Sequence, residues 1–150
     1  MRGQAHDDGG SAIIEFVFVA VIVMVPLIYF VVAVATVQRS ELAVSQAARE
    51  AGRAFATADR ADEAVSRART AVHIALHDQG LSDDAELKYV PAGASCDAIG
   101  MSPRLVAGAQ FTVCVTRHLS MPAVPEVLSG KGITTVGKFV VHVDDYRVVS

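Results

Sequence analysis

An α+β fold that begins in a membrane is the architecture this sequence predicts, on three observations. Phe16 to Val37 is an apolar run of 22 residues without a charge. Residues 38–79 carry apolar side chains at helical spacing, and the segments 86–90, 110–118 and 134–143 read as extended. These patterns imply one long N-terminal helix, a second helix and a small antiparallel sheet of three or four strands, the sheet's apolar face lying on the helices.

The apolar run comes first. Twenty-two helical residues span roughly 33 Å, the hydrocarbon thickness of a bilayer. The chain of 150 residues is 52% hydrophobic, and outside this run the fraction falls to about 45%, a normal globular value. A cleaved secretory signal is the rival reading, with Arg2 as basic start and Ala33-Val34-Ala35 as cleavage site. The run exceeds the roughly 7 to 15 apolar residues of a signal core, and the chain beyond Ala35 continues as helix. Leu42, Ala47, Ala48, Ala51, Phe55 and Ala58 form a weak apolar stripe, so one helix over 11–58 with a span at 16–37 is expected. Pro26 removes a backbone donor and predicts a bend near Ile22 to Pro26.

The remainder, 59–150, reads as a domain. Asp59 is a candidate N-cap for a second helix with Asp62 and Glu63 in its first turn. Its apolar face would comprise Ala61, Ala64, Val65, Ala68, Ala71, Val72, Ala75 and Leu76, and Gly80 would end it. Strands are expected at Glu86–Val90, closed by Pro91, at Gln110–His118 with alternating Phe111, Val113 and Val115, and at Thr134–Val143 with Val136, Phe139, Val140 and Val141. The loop Ala92–Ala109 is long enough to need a tether. Cys96 within it and Cys114 on the next strand suit a disulfide in an oxidising compartment, or two buried thiols in a reducing one.

Charge balance and motif spacing argue against the common chemistries. After Val37 the cations and carboxylates nearly balance, so no phosphate-seeking surface for nucleic acid is expected. Gly132 to Phe139 matches the spacing GxxxxGK, but Phe139 stands where a phosphate loop needs Ser or Thr, and the context is strand-like. His73 and His77 share a helix face, with Asp78 adjacent and His118 on a strand, yet Ile74 occupies the position a helical zinc protease gives to glutamate. Ser66, Ser95 and Ser120 lack a nucleophile-elbow frame. No catalytic residue, metal site or cofactor is expected, and Asp144-Asp145-Tyr146-Arg147 reads as a solvated polar end.

One residue stands out. Glu15 lies at the threshold of the apolar run, where an ionised group is costly without a partner or headgroup water. Gly10-Ser11-Ala12-Ile13-Ile14-Glu15-Phe16, the proline within the run, and Ala47-Ala48-Arg49-Glu50-Ala51-Gly52-Arg53-Ala54 resemble the TadE-like family, minor pseudopilins of tight-adherence (Flp-type) pilus machinery. The resemblance covers Gly10 to about Ala58.

That resemblance implies a leader at 1–10, cleavage between Gly10 and Ser11 by a prepilin peptidase, and a pilin-like lollipop fold. Glu15 becomes the fifth processed residue, pairing with the free amine on Ser11 of a neighbouring subunit. The implied partners are the peptidase, other pilin or pseudopilin subunits, the inner-membrane assembly platform and the lipid bilayer. Helix packing would use Ala33, Ala35, Ala43, Ala47, Ala51 and Gly52. The N-terminus would be cytoplasmic and the domain extracytoplasmic, although Arg39, Arg49 and Arg53 follow the span closely and the positive-inside rule alone favours the reverse. An unprocessed single-pass anchor with a binding domain, and a protein secreted after Ala35, are the competing expectations.

Overall fold

The structure, a computed structural model, describes residues 9–119 and 132–147. Most of the leader, with Arg2, Asp7 and Asp8, and also Ser120, lies outside the described residues. The elements in chain order are α1 (Gly9–Ala56), α2 (Ala61–Asp78), β1 (Ala85–Pro91), β2 (Gln110–Leu119) and β3 (Ile133–His142). This is α+β with a three-stranded antiparallel sheet in the order β1-β2-β3. The chain divides into two compact units, Met1–Thr36 and Val37–Ser150.

In the first unit, α1 continues through Pro26, whose missing N–H leaves the Ile22 carbonyl without its usual donor. The hydroxyl of Thr36 is satisfied locally, the Oγ1 donating to the Val32 carbonyl at 2.8 Å.

In the second unit the later turns of α1 form one wall of the core. Ser40, Ala43, Val44, Ala47, Ala48, Ala51, Phe55 and Ala58 are buried, at spacings of three and four. Leu42, expected on this face, is 73% exposed, because it sits about 200° around the helix from Ser40. The small residues have a use within the chain. The family resemblance assigns Ala43, Ala47, Ala51 and Gly52 to contact with sister helices, but all four are buried in this unit's own core.

The approach is close enough to exclude side-chain atoms. A Cβ at Gly137 of β3 would lie 2.1 Å from the Val44 carbonyl oxygen, and one at Gly52 would meet Phe139 and Val141 at 2.6 and 2.8 Å. Helix and strand backbones therefore meet at Gly137 with nothing between them.

The second helix covers more of the same core with Ala64, Ala68, Val72, Ala75 and Leu76, whereas Ala61 is exposed. Its N-cap is Arg60 in extended conformation, with no side-chain cap bond, rather than Asp59. Asp59 pairs instead with Arg67 at 3.6 Å. At the other end Gly80 has φ +67°, its N–H bonds the His77 carbonyl, and the Leu81 N–H bonds the Leu76 carbonyl. That pattern is a Schellman motif, sealed by Leu81 against the core.

Strand β2 is central and carries Phe111, Val113 and Val115 inward. On β3 the inward residues are Thr135, Gly137 and Val141, while Val136 and Val140 are about half exposed on the opposite face. Phe55, Tyr89 and Phe111 form an aromatic group, with Phe55 and Phe111 edge to face at 4.9 Å.

Gly137→Ala is expected to cost on the order of 3 kcal/mol, since the obstructing atom is backbone and the helix must move. Gly52→Ala meets side chains that can rotate and is expected to cost less. Denaturant melts of the two variants check this ranking.

Candidate functional site

The first candidate is the apolar helix itself. Ile13–Ala56 is long and apolar enough to cross a membrane, and none of its most apolar stretch is buried within the chain. Ile14, Phe16, Phe18, Tyr29 and Phe30 are all exposed. The backbone of Gly10 and Ser11 lies in the first turn of α1. Glu15 comes one turn later on the same helix, exposed among Ile14, Phe16 and Phe18. Among the described residues no cation lies within salt-bridge distance of it.

The second candidate is the face of the sheet turned away from α1. Cys96 and Cys114 are joined as a disulfide, their Cα atoms 5.7 Å apart, and no cysteine is free. Cys114 alternates with inward Val113 and Val115, so the bond draws the long loop over the outer face. Supporting bonds run from Met101 N–H to the Tyr89 carbonyl, from Gly93 N–H to Thr112 Oγ1, and from Lys88 Nζ to the Cys96 carbonyl. Leu105 of the loop enters the core. The loop is thus tied at several points without forming a strand.

Three polar ties go beyond what the sequence predicts. Arg117 is only 7% exposed, and its Nε donates to Asp84 Oδ1 at 2.6 Å while Nη2 donates to Ser82 Oγ. Its position in the register Phe111, Val113, Val115, Arg117 is the available signal. A cation on the inward face of a strand must find a carboxylate. Burial raises the Asp84 carboxyl's affinity for protons, but the Arg117 hydrogen bond and charge outweigh it, and the pKa falls below the usual carboxylate range.

The second tie is the buried pair Ser40 Oγ and Thr135 Oγ1 at 2.9 Å, which links α1 to β3. Thr135 Oγ1 in turn donates to the Arg117 carbonyl. The third corrects the reading of 144–147 as a solvated polar end at Arg147 alone, since Asp144, Asp145 and Tyr146 are exposed as expected. Arg147 reaches back to donate to the Ala56 and Ala58 carbonyls, placing a guanidinium at the negative end of α1.

The remaining sequence candidates separate. His73 and His77 stack with ring centres 6.3 Å apart, and His73 Nε2 lies 3.3 Å from Asp83. His118 bonds Thr134 on the sheet. Among the described residues no group of three metal-ligating side chains forms. The GxxxxGK segment runs into β3, with strand rather than helix after its lysine.

No protein-family model, curated protein or solved structure matches this chain.

The disulfide and the buried ion pair each carry a measurable weight. Reduction, or Cys96→Ser with Cys114→Ser, is expected to cost about 3 kcal/mol from loop closure over a separation of 18 residues. Denaturant melts with and without reductant measure it. The Asp84–Arg117 pair adds stability that is complete above the ordinary carboxylate range and is lost as the pH falls below about 4, through the lowered folded pKa. Asp84→Asn should be less stable at neutral pH and show a flatter dependence of melting temperature on acid.

Proposed function

We propose that this protein is a membrane-anchored, non-catalytic minor pseudopilin of the TadE-like kind, acting in assembly of a tight-adherence (Flp-type) pilus. The observation that carries the reading is Glu15. It is a lone carboxylate at the start of an exposed apolar helix, five residues after Gly10, with no cation beside it among the described residues. A charge near hydrocarbon without a partner among the described residues calls for one from elsewhere. At the centre of a bilayer it costs about 2.5 to 3.5 kcal/mol on insertion scales, and less near the edge.

In this reading a prepilin peptidase cuts between Gly10 and Ser11, and the new amine on Ser11 of a neighbouring subunit pairs with Glu15 inside a helix bundle. The other partners are sister pilins and the inner-membrane platform. Of the six small residues expected at helix contacts, Ala33 and Ala35 are left, since the later ones serve the chain's own core. The disulfide supports an extracytoplasmic, oxidising location for the second unit, and hence a cytoplasmic N-terminus.

The N-terminal residue of the mature protein, read by mass spectrometry from cells containing a prepilin peptidase, tests the proposal. Ser11 is expected. Met1 would instead indicate an unprocessed anchor, and Thr36 a protein secreted after Ala35, either of which overturns it. Glu15→Val should leave membrane insertion intact and lower pilus assembly. Wild-type piliation in that variant removes the pairing.

A further inference from the structure

Arg49 and Arg53 stand four residues apart on α1 and share one face, outside the buried stripe. Lys138 is exposed on β3 between inward Gly137 and half-buried Phe139. The three cations line a cleft of about 320 Å³ with apolar walls from Ala94, Phe139 and Val140. A second cleft of about 540 Å³, bordered by Leu42, Gln46 and Gln79, shares Arg49 and Arg53 and also has the carboxylate of Glu50 in its lining.

Five other cations of the domain are engaged, whereas Arg39, Arg69 and Arg104, also without a carboxylate partner among the described residues, line neither cleft. Arg60, Arg67 and Arg117 face carboxylates, Arg147 holds helix carbonyls, and Lys88 holds the Cys96 carbonyl. Among the described residues Arg49 and Lys138 have no carboxylate within reach, and Arg53 has Glu50 at 3.9 Å alone. A local excess of positive charge thus persists in a chain of net charge −3.

We propose that this cleft is a docking site for an acidic, partly apolar peptide segment of a partner protein. Two clefts that meet at Arg49 and Arg53 make a track, which suits an extended chain better than a point anion. Exposed Leu42 and Val140 offer contacts for apolar side chains along it. The donors, two guanidinium forks and the Lys138 ammonium, suit carboxylate and phosphate alike, so the length of the track and its apolar borders are what favour an acidic peptide over a point phosphate. The site does not depend on processing after Gly10.

The test uses the full chain in neutral detergent micelles and a fluorescent 15-residue peptide of Glu, Asp, Leu and Phe, followed by anisotropy at low salt. Saturable binding that weakens with salt is expected, with a loss of about tenfold in Arg49→Glu combined with Lys138→Glu. Arg104→Glu, an exposed cation elsewhere, should change it less than about twofold. The same peptide with Gln and Asn in place of its acids should not bind the unaltered protein. Any of three results overturns the proposal: equal binding of the neutral peptide, an equal loss in Arg104→Glu, or retention by the double variant. It is also overturned if inorganic phosphate or phosphatidylglycerol vesicles occupy the cleft in preference to the peptide.

Discussion

Contact between the backbone of α1 and the backbone of β3 governs the rest of the second unit. At Gly137 the strand has no side chain to offer and the Val44 carbonyl fills the space a methyl group would need. Beside Val44 itself the inward residues of α1 near this point are small, Ser40, Ala43, Ala47, Ala48 and Ala51, and the larger Phe55 enters only further along the helix. A helix that close to a sheet buries little apolar area per residue, since alanine carries one methyl group. The remaining volume is supplied from the far side by Phe111, Val113, Val115 and Tyr89, and by Leu76 of α2. Small residues on one wall and bulky ones on the other make a dense interior possible with few large side chains.

Close approach also explains where the buried polar groups lie. Ser40 and Thr135 sit where α1 and β3 near each other, and a hydroxyl pair of small volume fits where two larger apolar groups would not. Arg117 lies on the same face as Val115, and Asp84 from the turn before β1 meets it there. Arg147 closes the opposite end by taking the carbonyl of Ala56, the last residue of α1, and that of Ala58 just beyond it. Each tie joins segments distant in sequence: the Ser40–Thr135 pair holds α1 to β3, Arg147 holds the segment after β3 to the end of α1, and Arg117 holds β2 to the turn before β1.

The elements are legible in the sequence, and their faces are ambiguous. Periodicity locates α1, α2 and three strands to within two or three residues, and the loop length together with the two cysteines points to the disulfide. Leu42 shows how a face is mistaken: its hydrophobicity argues for the core, and its spacing argues against. A leucine two residues from Ser40 lies across the helix, whatever its affinity for a core. Small residues carry the opposite ambiguity. Alanine and glycine permit close approach to any backbone, and nothing in Ala43, Ala47 and Gly52 says whether it is a sister helix or the chain's own sheet. Gly137 holds the answer, since a glycine inside a strand marks a close neighbour. Its place in the GxxxxGK spacing masks that meaning.

That reassignment narrows the case for Glu15. With the later alanines engaged internally, helix association under the proposed function must rest on the first unit, where small residues such as Ala20, Ala33 and Ala35 are few and most other side chains of the helix are bulky and apolar. Bulky apolar surfaces gain little from leaving lipid for one another, because both environments are equally apolar. A specific register between such helices needs a polar contact to define it. In the second unit the buried cation Arg117 finds its carboxylate within the chain. Glu15, among exposed phenylalanines and isoleucines, does not among the described residues. An ion pair with a neighbour's amine would remove the cost of that carboxylate and fix the stagger at once, which a surface of Val, Ile and Phe cannot do alone.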